Sequence, residues 1–509
     1  MTSFIASTSN PANGAGILKC GETLAWGDLP LLTCEHFRQA VIDGLDAGMR
    51  ILALYGANSA ELDQLLVIAV LGDGVRGMLR AMAMQIAGSY PAITPVCPAA
   101  QRFECEIAEQ WGILPEGHPG LRPVRNAPPH VTSSNRSPIA WNDFYRVAGE
   151  EVHEVGVGPV HAGVIEPGHF RFQCHGERVL HLEIALGYQH RGIERSLRSA
   201  PEKLRIHLIE TTAGDSTVAY AIGYSELIES LASIVAPPRS QILRGIASEL
   251  ERLANHAGDL GALAGDVGFL PTAAYCGRIR GEFLNLTAAL CGNRFGRNFI
   301  CPGGVKNDLE QSAIFDFKRR LKLAIQDLRG ASELLFANSS VLARFRETGR
   351  LSCKTAQELG LVGPASRACG LERDARHDFA SGIYRTRTVP VATWHSGDVL
   401  ARAYVRYLEC CKSAEFLAEL FDSLDAGPFR CDVKVLRAAA LAVAVTEGWR
   451  GEICQVARTD QHGQLVSYKI VDPSFHNWPG LAMAMRDQPI SDFPLCNKSF
   501  NLSYCGHDL

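Results

Sequence analysis

The sequence predicts an α+β fold in two parts, a small N-terminal α+β domain followed by a mainly α-helical bundle domain with peripheral β-hairpins. Three observations carry this. Helix-like and strand-like segments alternate over the first 125 residues, and an Asn/Pro/Ser-rich stretch interrupts them. Beyond residue 200, long, weakly charged segments repeat apolar residues every three or four positions.

Taken in order, residues 1–28 lack the basic start and apolar middle of a signal peptide and are expected to be disordered or extended. Residues 29–125 form the first domain. Cys34 to Ala47 reads as a helix, Ile51 to Gly56 as a strand, and the apolar run Leu65 to Leu71 ends at a Gly-Asp-Gly turn before a helical stretch over Met78 to Ile86. Residues 126–150, containing NAPPHVTSSNRSPIAWNDF, cannot bury enough apolar surface to fold by themselves and read as a linker.

Residues 151–509 form the second domain. Phe170 to Cys174 and Val179 to Ala185, set apart at His175-Gly176, suit a β-hairpin. Helices are expected over Leu204 to Leu231, interrupted by TTAGDST, and from Ser240 as N-cap, with Ile242, Leu243, Ile246, Leu250, Leu253, Ala257 and Leu260 on one face. The other faces of that helix carry Arg244, Glu249, Glu251 and Arg252. Further helices are expected over Arg278 to Cys291, Ser312 to Phe336 and Gly397 to Leu424, and a second hairpin over Gly451 to Ala457 and Leu465 to Ile470.

With 509 residues, 47% apolar and 20% charged, the chain has the make-up of a globular protein with more than one core. A formal charge of −4 gives no field for nucleic acid or a membrane surface. No apolar run approaches the roughly 18 residues that cross a bilayer, so any membrane link is expected to run through partner subunits. The sixteen cysteines, without a secretion signal, read as reduced thiols, and none forms a C-x-x-C pair. No G-x-G-x-x-G follows a strand, so a nicotinamide link would run through another subunit.

The stretch Gly158 to Arg195, GPVHAGVIEPGHFRFQCHGERVLHLEIALGYQHRGIER, organises the chain. Its first loop is made irregular by glycine and proline and carries His161, Glu166 and His169, which on the residues alone reads equally as a binding loop or as a solvated loop over a sheet. The stretch resembles the N-terminal signature of the catalytic large subunit of complex-I-related, membrane-bound NiFe hydrogenases of the formate hydrogenlyase type, and more loosely the D subunit of NADH-quinone oxidoreductase. ERLANHAGDLGALAGDVGF, CGNRFGRNFICPGGV, GPASRACGLERDAR, GDVLARAYVRYLE and EGWRGEI follow in the family's order. The end of the first domain resembles the C subunit of NADH-quinone oxidoreductase, with Glu104, Glu106, Glu109, Gly117, His118 and Arg122 on its acidic helix and G-H-P-x-L-R tail. That resemblance implies docking of these residues on an iron-sulfur subunit. On the residues alone, His118 also reads as a turn histidine capping its loop.

The hydrogenase resemblance implies four nickel-holding thiolates, two before the bundle and two at the C-terminus, and soft sulfur donors cannot be replaced by serine or glycine. The matching positions here are Ala213, Ser216, Ser503 and Gly506, with Cys505 one residue out of register. No metal and no cofactor of its own is therefore expected. In the D-type family a loop histidine and a tyrosine after an aspartate bind quinone. Pro167 stands at that histidine, and Asp215 and Ser216 at the aspartate and tyrosine, leaving His161, His169 and Ser216 as candidate quinone contacts.

Glu166 matches the proton-passing glutamate of hydrogenases, and with Asp215 it is the candidate catalytic pair; a partner for a buried arginine is the alternative for Glu166. Arg402 and Arg406, at i, i+4 on one helical face, and Arg450 in a turn could pair with Asp215, Glu166 or Glu447 around the cavity, with structural ion pairs of the bundle as the alternative. The resemblance implies a peripheral-arm subunit on the inner, cytoplasmic face of the cell membrane, holding a metal-free cavity beside a small iron-sulfur partner. It attaches through antiporter-like and other membrane subunits. The alternatives are a scaffold without redox chemistry and a functioning NiFe hydrogenase.

Overall fold

A computed structural model describes residues 16–59, 64–86, 88–127, 144–163 and 165–509. Most of the linker expected at 126–150 lies outside the described residues. The N-terminal lobe holds β1 (Ile17–Leu18), β2 (Thr23–Ala25), β3 (Leu31–Leu32), α1 (Cys34–Asp46), β4 (Arg50–Ser59), β5 (Gln64–Asp73) and β6 (Met78–Ile86). Thr33 caps α1 by accepting from His36 N, and Phe37, Val41 and Gly44 bury one face of the helix. One sheet runs β1-β6-β5-β4, with β3 parallel to β6.

One expectation is corrected in this lobe. Met78 to Ile86 is a strand, not a helix: it pairs with β5 from Asp73↔Met78 to Leu65↔Ile86. Its Met, Leu and Ala are helix formers, but burial on both faces of the sheet removes the alternation that marks a strand, and tertiary pairing overrides propensity. Within residues 17–28 the extended segments are paired strands, β1 with β6 and β2 with a strand of the second lobe. The lobe closes with β7 (Ser89–Pro91), α2 (Gln101–Trp111) and β8 (Leu114–Glu116), the two strands running parallel.

The second lobe opens with β9 (Val152–Val157), β10 (His169–His175) and β11 (Arg178–Ala185) in the order β11-β10-β9. A two-residue turn at Gly176-Glu177 joins β10 to β11, and Gly176 takes the positive φ it needs, 56°. Then follow α3 (Ile193–Ser199), α4 (Glu202–Glu210), α5 (Thr217–Leu231), α6 (Pro238–Asp266), α7 (Leu270–Cys291), the hairpin β12 (Ile300–Cys301) and β13 (Gly304–Val305), and α8 (Gln311–Ala337). Short helices α9 (Ser339–Phe345), α10 (Cys353–Glu358), α11 (Gly363–Arg367) and α12 (Ala375–Asp378) lead to α13 (Val399–Asp422). Ser240 is not the N-cap of α6. The helix starts two residues earlier at Pro238, whose fixed φ suits a first turn, and Ser240 Oγ donates to Pro237 O. The next helix starts at Leu270, not Arg278.

Strands β14 (Ala440–Gly448), β15 (Gly451–Thr459) and β16 (Leu465–Val471) complete a sheet of order β16-β15-β14-β2. This sheet is central, not peripheral. Ala440, Ala442 and Ala444 face the core of the helices, while Leu441, Val443 and Val445 face the core of the N-terminal lobe. The sheet thus joins the two lobes. Helices α14 (Pro473–Ala484), α15 (Phe493–Phe500) and α16 (Tyr504–Asp508) close the chain against the β10-β11 hairpin. Among the described residues no helix is long and apolar enough to cross a membrane.

Candidate functional site

The loop at 158–168 turns back on itself and onto the tail. Gly158 has φ 85°, and a Cβ there would lie 2.2 Å from Gly168 O. His161 Nε2 lies 2.8 Å from Gly168 O, and His169 Nδ1 3.3 Å from Gly158 O, so both rings bond carbonyls of their own loop. Gly168 lets Tyr504 close in, since an added Cβ would meet Tyr504 Cε1 at 2.7 Å. This contact sets Glu166 against the start of α16, where its Oε2 accepts from Tyr504 N at 3.3 Å and Cys505 N at 3.5 Å.

The other half of the site is the turn before α5. Arg450 grips it with a bidentate pair, Nη1 and Nη2 donating to Asp215 Oδ1 at 2.6 Å and Oδ2 at 2.7 Å, while its Nε donates to Asn501 O of the tail at 2.6 Å. Trp449 Nε1 and Asn255 Nδ2 both donate to Asp215 O at 2.9 Å. Arg191, from the HRGIE segment, donates to Thr211 O, Thr212 O and Cys505 O. The tail and the 211–216 turn are therefore neighbours. Burial pushes the Asp215 carboxyl up, and Arg450 more than reverses this, holding it below the ordinary value.

The four positions matched to sulfur ligands are filled by other contacts. Ala213 and Ser216 are buried, and Ser216 Oγ lies 3.4 Å from Arg450 Nη1. Ser503 caps α16 by accepting from Gly506 N at 2.9 Å. A Cβ on Gly506 would lie 2.5 Å from Oδ2 of Asp472, the carboxylate that accepts from Tyr220 OH. The nearby thiol of Cys505 is pushed up to about 12 by burial first and then by the carboxylates of Glu166 and Asp215, so it stays protonated at neutral pH.

Glu251 is a functional candidate that sequence reasoning passed over. Its carboxylate accepts from Val218 N at 2.7 Å and Ala219 N at 3.2 Å, the first amides of α5, and it lines a small cleft with Asp215, Asn255 and Arg294. Burial first, and then Asp215, raise its pKa to about 8 against the two backbone bonds. A carboxyl raised in the fold is neutral there while its unfolded counterpart ionises. Its stabilising effect is therefore full below about pH 4.3 and is lost as the pH rises through 8. The Glu251→Gln variant is expected to be no more stable than the parent at pH 5 and to melt a few degrees higher at pH 8.5 by calorimetry.

The family-like segments meet deeper in the bundle. Arg367 bonds Glu447 Oε1 at 2.8 Å and Glu409 Oε1 at 2.7 Å; Arg376 bonds Asp374 at 2.6 Å and Glu249 at 3.1 Å; Arg252 bonds Glu249 at 3.1 Å; and His256 Nε2 lies 2.8 Å from Glu409 Oε2. Burial pushes Glu409 up, but Arg367, His256 and Arg252 hold it well below the ordinary carboxylate value. Of the other arginines weighed, Arg406 pairs with Asp259 and Arg402 bonds Ser499 Oγ. Neither bonds Asp215 or Glu166.

The residues matched to a docking tail turn mostly inward. Glu104 is fully buried and accepts from Ile93 N, Thr94 N and Thr94 Oγ1. Glu106 pairs with Arg125 and with Lys469 of β16, and Glu109 accepts from Val124, Arg125 and Ala127 N. His118 Nδ1 accepts from Gly120 N, which fits the turn-capping reading, Gly117 has φ 78°, and Arg122 pairs with Glu183 of β11. Glu106 and Arg122 join the two lobes of this chain.

Residues 266–442 match the family model described as respiratory-chain NADH dehydrogenase, 49 Kd subunit. The carbon monoxide-induced hydrogenase of Rhodospirillum rubrum is 31% identical over 350 residues, covering 69% of this chain and 97% of that protein. The chain belongs to the family of complex I 49-kDa subunits and membrane-bound hydrogenase large subunits. Formate hydrogenlyase subunit 5 of Escherichia coli is 27% identical over 434 residues, covering 82% of this chain and 76% of that protein. The C/D subunit of the NADH-quinone oxidoreductase of Bacteroides thetaiotaomicron is 27% identical over 399 residues, covering 71% and 74%.

Within this 49-kDa and hydrogenase family, the residues present here do not fit a nickel-iron centre. One lone protonated thiol stands where four thiolates are needed, and Asp472 leaves no room for a side chain at Gly506. Among the described residues, no three His, Cys, Asp or Glu side chains converge as a metal ion requires.

Proposed function

We propose that this chain is a subunit of a membrane-bound, complex-I-related oxidoreductase, of the NADH-quinone oxidoreductase or hydrogenase type, in which it works without a nickel-iron centre of its own. Its attachment is peripheral, through membrane subunits, and its electrons come from the cluster of a small iron-sulfur partner. The observation that carries this reading is Arg450, which binds Asp215 on one side and Asn501 O on the other and so ties together the two segments that would carry sulfur ligands.

In this reading Asp215, held ionised by Arg450, fixes the geometry and does not carry protons. Glu166, at the tail, and Glu251, behind Asp215, are the carboxyls placed to move a proton. A quinone head group bonding Ser216 would compete with Arg450, whose Nη1 lies 3.4 Å from Ser216 Oγ, and His161 and His169 would have to leave the loop carbonyls they now engage. The scaffold reading keeps the fold and removes the chemistry.

Turnover of the intact complex separates the two readings. Glu166→Gln is expected to lower it by about a hundredfold with assembly unchanged, and Asp215→Asn to lower it by releasing Arg450. Unchanged turnover in both variants would leave only the scaffold reading.

A further inference from the structure

A cavity of about 370 Å³ lies apart from Glu166 and Asp215, in the seam where the N-terminal lobe meets β11 and α14. Its volume is within the range of small-molecule sites. Leu182, Leu186, Trp478 and Met483 form apolar walls, with Pro119 and Val124 contributed by the opposite lobe.

Its charged groups are mostly cationic, Arg102, Arg122 and Arg486 against the one carboxylate of Glu183. Glu183 is already paired with Arg122 and accepts from Tyr145 N. Among the described residues Arg486 has no carboxylate partner, and Arg102 bonds only the ring of His507, which burial keeps neutral. His181 packs on Tyr145 edge-on at 5.0 Å. Trp478 is fully buried, and its Nε1 donor has no partner among the described residues. Buried donors are ordinarily satisfied, so an unused donor on a residue that lines the same cleft as Arg102 and Arg486 asks for an acceptor.

We propose that this seam is a binding site for a small amphipathic anion, an apolar body ending in a single carboxylate. The apolar part lies against Leu182, Leu186 and Met483, and the carboxylate meets Arg486 and Arg102. Because the walls come from both lobes, an occupant also bridges them.

Titration of the full chain with 8-anilinonaphthalene-1-sulfonate, followed by displacement with decanoate or decanol, tests this. One saturable site is expected, displaced by decanoate far better than by decanol. Arg486→Ala, at an exposed position, is expected to weaken the probe about tenfold, the worth of one charge-assisted bond. Ala482→Trp, which fills the cavity mouth, is expected to abolish binding. Equal displacement by decanol, or an Arg486→Ala variant that binds as the parent does, would overturn the proposal even if Ala482→Trp failed to fold.

Discussion

Replacing Arg367 with methionine is expected to destabilise the chain by about 3–5 kcal/mol, because it leaves buried carboxylates without their counter-charge. Arg367 is completely buried between Glu409, Glu447 and Asp374. Burial pushes Glu447 up to about 7 even with the arginine present, and Asp374 is held at about 2 against burial by Arg376 first and then by Arg367 and Arg252. Without Arg367 both carboxyls take up protons or the fold opens around them. The midpoint of urea unfolding reads the loss directly. Arg367→Lys is expected to recover little, since one ammonium cannot serve two carboxylates in fork geometry.

Gly506→Cys, which restores one family ligand position, is expected to cost about 1–3 kcal/mol rather than help hold a metal. The new Cβ would lie 2.5 Å from Asp472 Oδ2 and 2.9 Å from Ser503 Oγ, displacing the acceptor of Tyr220 and the cap of α16 together. Thermal melting of the variant with and without added nickel reads both parts. A variant as stable as the parent, or one stabilised by nickel, would show that the pocket still has room for sulfur.

Much of the bundle was legible in the sequence because α6, α8 and α13 keep an apolar period near 3.6 residues over many turns. β6 was not, because a strand buried on both faces, rich in methionine and alanine, carries no alternation. β14 hid for the same reason, since its alanines and its leucine and valines are buried on opposite faces. At the site, the resemblance put the 211–216 turn and the tail on one pocket, and Arg450 bonds both, through Asp215 and Asn501 O. The sequence did not reveal what replaced the ligands. Arg367 lies 42 residues from Glu409 and 80 from Glu447 along the chain, and Glu251 reads like any charge on a helix face until α5 is laid across it. Only packing shows that these charges are interior.

The central claim is that an ion pair, Arg450 with Asp215, has taken over the place of the sulfur site in this family. Nickel content tests it most directly, measured by plasma mass spectrometry on the complex purified from cells supplied with nickel and hydrogenase maturation factors. The account predicts nickel far below one atom per chain, unchanged by Cys505→Ser. One nickel per chain, lost in that variant, would contradict it.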